Sequence, residues 1–251
     1  MFDNLPVEAT AFLILFARVG AVLMLLPVFS EEAVPARIRL LIAFGMTAGL
    51  WGMLSGQVLP AAGDAAALPA MLIGELLVGL GLGAVVRIMF YAVAIAGSIV
   101  SLQVGLTSAV VADASQGGSA PLLSKFVTVA AAVVCMALSV HHLWILSIIR
   151  SYSLFPVGAL PPAADFAELA LTVAARSMAL GVSLAAPLIV YGIVFNVALG
   201  LSARLAPAIQ VFFVAQPLNL VLGLAFFATV LGALLTSFAT AMATWLQRGW
   251  G

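Results

Sequence analysis

The chain has 251 residues, nine Lys or Arg against nine Asp or Glu, and a formal net charge of zero. Only 7% of its residues are charged, 65% are hydrophobic, and the mean hydropathy is +1.28. That balance excludes a basic footprint for nucleic acid, and it leaves too little polar surface to cover a water-soluble globule.

Six apolar runs occupy residues 9–29, 38–54, 68–102, 122–149, 166–200 and 205–247. A hydrocarbon core of ~30 Å is crossed by ~20 apolar residues in a helix. The runs are continuous rather than alternating, so a barrel is not expected. The last run is 43 residues without one Asp, Glu, Lys or Arg. The predicted fold is all-α: a polytopic membrane protein of about six long, partly broken helical segments, forming a single membrane domain over 1–251.

In chain order, the N-terminus Met-Phe-Asp-Asn-Leu-Pro lacks a basic region and a small-residue cleavage site, so the first run is expected to persist in the mature protein. Pro27 and Pro35 bracket a polar turn with Glu31 and Glu32, and Pro60 and Pro69 flank a loop rich in Ala and Gly. Pro156, Pro161 and Pro162 close the loop after Arg150. Pro187 falls inside the fifth run, and Pro207 and Pro217 inside the sixth. An interior proline removes a helix hydrogen bond. The third, fifth and sixth runs exceed one perpendicular span, so they are expected to tilt, break or form helical hairpins, with breaks covered by other helices. The pairs Gly45/Gly49, Gly52/Gly56 and Gly79/Gly83 are spaced i, i+4, which lets helix backbones approach. Arg37, Arg39, Lys125 and Arg204 against Arg150 and Arg248 give a four-to-two bias that places both termini outside the cytoplasm.

Few residues carry chemistry. Cys135 has no partner for an internal disulfide and reads as a small buried hydrophobe. His141 and His142 are adjacent, about 100° apart on a helix, and do not chelate as an i, i+4 pair does. Gly181-Val-Ser-Leu-Ala lacks the second glycine of a nucleophile elbow, and no Walker-type loop is present. Enzymatic activity, a metal and a cofactor are therefore not expected. Arg18, Glu75, Arg87 and Arg176 lie in or near apolar runs. A charge at the bilayer centre costs roughly 2.5–3.5 kcal/mol on insertion scales, so these residues, and with them Arg204, are read as buried anchors between helices, with charges snorkelling to the interface or a proton path as the alternatives. Glu75 and Arg87 are about 18 Å apart along one straight helix and do not pair there. The stretch 103–121 mixes small, polar and apolar residues after a long apolar run. Irregular backbone at membrane depth must be buried in protein or line water, so this stretch is either a connecting loop or the lining of a pore.

In order along the chain stand Arg18-Val-Gly20, Pro27-Val-Phe29, Val34-Pro35-Ala-Arg37, Gly74-Glu75 running to Gly83, Ala96-Gly97 running to Gln103-Val-Gly105, then Asp113, Pro121, His142, Ala186-Pro187, Asn196 to Pro207, Phe212-Phe213 and Gln216-Pro217. This ordered set resembles the FliR family, membrane proteins of the flagellar type III export gate, with a related subunit in virulence injectisomes. The resemblance covers about residues 12–240. It implies a subunit that assembles with FliP-like and FliQ-like proteins, and with FlhB-like and FlhA-like export proteins, around a channel for unfolded substrates in the bacterial inner membrane at the flagellar basal body. The resemblance matches 103–121 to the loop that plugs the resting channel, with Gln103, Gly105, Leu106, Asp113, Ser115, Gln116, Gly117 and Gly118 as its expected site residues. Without the resemblance, a secondary transporter with proline-broken helices remains the main alternative.

Overall fold

The computed structural model describes residues 5–30, 34–64, 66–106, 122–158, 163–205 and 211–249, and these are helical with no strand among them. Among the described residues seven helices follow one another: α1 (Leu5–Leu25), α2 (Ala36–Val58), α3 (Leu68–Val104), α4 (Leu122–Ala137), α5 (Val140–Leu154), α6 (Ala163–Leu205) and α7 (Val211–Gln247). Five of them, α1, α2, α3, α6 and α7, are individually long and apolar enough to cross a membrane. The pair α4–α5 meets the same criterion as one broken span, which brings the count among the described residues to six.

The long helices differ from expectation in where they break. α6 runs 43 residues through Pro187, and α7 runs 37 residues through Pro217. Each proline deletes one hydrogen bond of a ladder; in an apolar medium no water competes for the remaining groups, so the helix continues on either side. The break occurs instead at Leu138 and Ser139, where no proline or glycine stands. Ser139 has φ 60° and its amide reaches only Met136 O, at 3.1 Å, while Leu138 still bonds Val134 O at 2.9 Å. Residues 137–139 are exposed, so the turn forms where packing does not hold the helix. Pro207 lies outside the described residues.

At 1.5 Å per residue, α6 is about 65 Å long and α3 and α7 about 55 Å. Each is close to twice the thickness of a hydrocarbon core.

Contacts group the chain into two compact units. The first comprises Met1–Met89, His141–Ala174 and Trp245–Gly251, and so contains α1, α2, the first half of α3 and nearly all of α5. Its centre is filled by Ile14, Leu15, Leu23, Leu26, Leu54, Trp144 and Ile148, all within 2% of full burial. The second comprises Phe90–Val140 and Ala175–Thr244, that is, the second half of α3, α4 and most of α6 and α7. There Phe90 meets Phe238 edge-to-face at 5.0 Å, and Val93, Cys135, Ala185 and Leu188 are fully buried. About half of the most apolar windows of α1 and α3 is buried, against about a quarter for α2, α6 and α7. The latter three therefore present most of their apolar surface outward.

Candidate functional site: two polar clusters on apolar helices

Arg18, in the middle of α1, is completely buried, and so, at 1% exposure, is Glu75 on α3. Arg18 Nε donates to Glu75 Oε2 at 2.7 Å and Nη2 to Oε1 at 2.8 Å, a fork-on-fork pair across 57 residues of sequence. The same Nη2 also donates to Phe155 O at 2.9 Å, and Nη1 donates to Ser151 Oγ at 3.2 Å. Ser151 in turn donates its hydroxyl to Ile148 O at 2.6 Å. Four of the five guanidinium donors are thus used. The face of the guanidinium lies 3.8 Å from the centroid of the Tyr152 ring, within cation–π distance. Phe155 directly follows α5, so its carbonyl is one of the acceptors a helix end leaves over, and a cation there also suits the helix dipole. One side chain therefore ties together α1, α3 and the end of α5.

The sequence permits this approach through glycine. A Cβ on Gly79 would stand 2.6 Å from Arg18 O, and one on Gly83 2.8 Å from Leu25 Cβ. Gly79 and Gly83, one and two turns beyond Glu75, form a flat strip on which α1 lies. The other two expected pairs behave differently: a Cβ added at Gly45, Gly49, Gly52 or Gly56 would meet nothing within 4 Å, because that face of α2 has no neighbour among the described residues.

The five charges read as buried anchors separate into two groups. Arg18 and Glu75 are the buried pair. Arg87, Arg176 and Arg204 are exposed, and the expectation of burial within this chain is corrected for them. A long arginine side chain covers apolar surface with its stem while its head reaches a polar layer, so position in an apolar run does not require burial.

A second cluster gathers at the end of α3. The helix closes in a Schellman motif: Leu106 N bonds Ser101 O at 3.0 Å and Gly105 N bonds Leu102 O at 3.2 Å, with Gly105 at φ 85°. The next orphan carbonyl, that of Gln103, accepts from Asn219 Nδ2 of α7 at 3.2 Å. Asn219 Oδ1 in turn accepts from the Tyr191 hydroxyl of α6 at 2.9 Å. Asn219 is 8% exposed. Packing is close here too: a Cβ on Gly223 would come 3.0 Å from Val104 Cγ2, and Gly192 faces the Gln103 side chain with no room for one. Of the expected loop residues, Gln103, Gly105 and Leu106 are half-buried at this helix end. Asp113, Ser115, Gln116, Gly117 and Gly118 lie outside the described residues.

Sequence reasoning did not mark Ser151, Tyr152, Tyr191 or Asn219. Asn219 had a signal: it is a strongly hydrogen-bonding side chain within the 43-residue uncharged run, and such a group in an apolar helix demands a partner. Ser151 had none.

Residues 9–245 match the model of a family described as bacterial export proteins, family 1. A flagellar biosynthetic protein FliR of Caulobacter vibrioides is 40% identical over 90% of this chain and 92% of its own length. The chain belongs to the FliR family of bacterial export proteins. The FliR protein of Escherichia coli K12 is 32% identical over 85% of this chain and 81% of its own, and that of Bacillus subtilis 27% over 84% and 82%. The match spans both clusters, so the all-helical, membrane-type fold and the family describe the same stretch of chain.

Proposed function

We propose that this protein is a core subunit of the flagellar type III export gate, assembling with FliP-like and FliQ-like subunits around the channel through which unfolded flagellar proteins leave the cell. Its place would be the bacterial inner membrane at the flagellar basal body, beside FlhB-like and FlhA-like export proteins. The observation that carries this reading is the relationship to flagellar biosynthetic FliR proteins over nine-tenths of the chain. The physical features agree with it. Apolar helices of 37 and 43 residues exceed a bilayer, and their outward faces are apolar; the part that extends past the hydrocarbon core needs protein cover. Energy for transport would come from partner proteins and the proton motive force, with this chain as a passive conduit.

In this proposal the stretch 103–121 plugs the resting channel, and the Schellman end of α3 with its Asn219 cap is the point from which it departs. The transporter alternative relies on helices interrupted at proline near a midplane site, and α6 and α7 are continuous at Pro187 and Pro217. The test is membrane conductance to small ions in cells whose chain lacks residues 110–116. The expected result is a leak in the resting state with expression unchanged. Unaltered conductance in that deletion removes the plug role.

A further inference from the structure

Beside the start of α1 is a groove of about 360 Å³, lined by Glu8, Ala9 and Phe12 of α1 and by Ala48 and Trp51 of α2. The rings of Phe12 and Trp51 are 5.9 Å apart, and Phe44 continues the aromatic row at 5.1 Å from Phe12. Glu8 is exposed and, among the described residues, makes no ion pair. The apolar span of α1, Pro6–Leu25, has 20 residues, about 30 Å, which matches one hydrocarbon core. Glu8, in the first turn of that helix, therefore stands at the level where acyl chains meet headgroups, the depth that also suits a tryptophan.

A carboxylate beside two aromatic faces is complementary to an organic cation: the carboxylate supplies charge and the ring faces supply their quadrupole. Deeper along α2 the same face continues as Phe44 and Leu41, 56% and 71% exposed, a bare apolar track in line with the groove. A zwitterionic head, with its ammonium in the groove and its phosphate toward water, joined to an apolar tail fits both parts at once. We infer that this groove binds an ammonium phospholipid of the phosphatidylethanolamine class, with its amine on Glu8 beside the Phe12–Trp51 pair and an acyl chain along Phe44 and Leu41. A primary ammonium has three N–H donors for the carboxylate, which a quaternary head lacks. The site is independent of the channel proposal.

The test uses the purified full chain in mild detergent with equal amounts of phosphatidylethanolamine and phosphatidylglycerol, read by native mass spectrometry. Phosphatidylethanolamine is expected to be retained about fivefold over phosphatidylglycerol, a ratio in the range of one cation–π and carboxylate contact. Glu8→Gln and Trp51→Leu should each remove most of that preference at unchanged helicity, and Glu168→Gln, an exposed carboxylate in the first two turns of α6, should leave it intact. Equal retention of the two lipids, a preference that survives Glu8→Gln, or an equal loss in Glu168→Gln overturns the assignment.

Discussion

Around Arg18 the chain buries a full ion pair and joins three helices through one side chain, whereas around Asn219 it caps a helix end with one neutral amide and one phenol. Both clusters answer the same constraint, since polar groups away from water must find partners. They differ in what separation would cost. A buried charge stripped of its partner retains its whole desolvation penalty. A neutral carbonyl that loses an amide loses about one hydrogen bond and its desolvation. The ionic cluster is accordingly suited to a fixed joint of α1, α3 and α5, and the neutral one to a joint that can be released. The neutral joint lies at the end of α3, next to the stretch proposed to plug the channel.

The largest expected effect is in the first cluster. Arg18→Ala or Glu75→Ala each leaves a buried charge alone and is expected to destabilise the protein by about 3–5 kcal/mol, read by denaturant or thermal unfolding in detergent. The double replacement Arg18→Met with Glu75→Leu should recover most of that loss, because no unpaired charge remains. Additive losses in the double variant would break the comparison, since the two side chains would then be energetically uncoupled.

In the second cluster, Asn219→Ala strands the Gln103 carbonyl and leaves the Tyr191 hydroxyl only the backbone carbonyl of residue 219, at 3.2 Å, and is expected to cost about 1–3 kcal/mol. Tyr191→Phe, which removes one donor, should cost about 1 kcal/mol. Hydrogen exchange at Gly105 and Leu106 should rise in Asn219→Ala while amides of α1 keep their protection. A loss as large as that of Arg18→Ala would erase the distinction between the two joints.

The glycines give effects no larger than those of the second cluster, and a change of sign. Gly79→Ala drives a methyl into Arg18 O and Ala21 and should cost about 1–3 kcal/mol as overpacking. Gly45→Ala meets open space and should stabilise the isolated chain by up to about 1 kcal/mol through helix propensity. Thermal melts of the two variants in the same detergent decide the matter, and destabilisation by both would mean that α2 is packed more closely than its surroundings show.

Much of the fold was legible because it rests on composition. Long apolar runs fix helix as the only way to satisfy the backbone, and residues 68–102 and 122–149 foretold α3 and the α4–α5 pair closely. The site was legible only in part. Arg18 and Glu75 stood out as charges in apolar sequence, yet their pairing spans 57 residues and depends on Gly79 and Gly83 bringing α1 onto α3. Arg87 and Arg176 carried the same sequence signal and are exposed, since periodicity in an apolar helix does not tell a core face from a lipid face. Proline misled as well: a run of hydrogen bonds in an apolar medium tolerates Pro187 and Pro217, while Ser139 turns the chain where packing is thin.

The central claim is membership of a gate complex, and the most direct measurement is mild-detergent co-purification of the tagged chain expressed with its neighbouring FliP-like and FliQ-like proteins, followed by native mass spectrometry. The account expects one discrete complex containing both partners. A stable, monodisperse monomer or homodimer despite co-expression would contradict it.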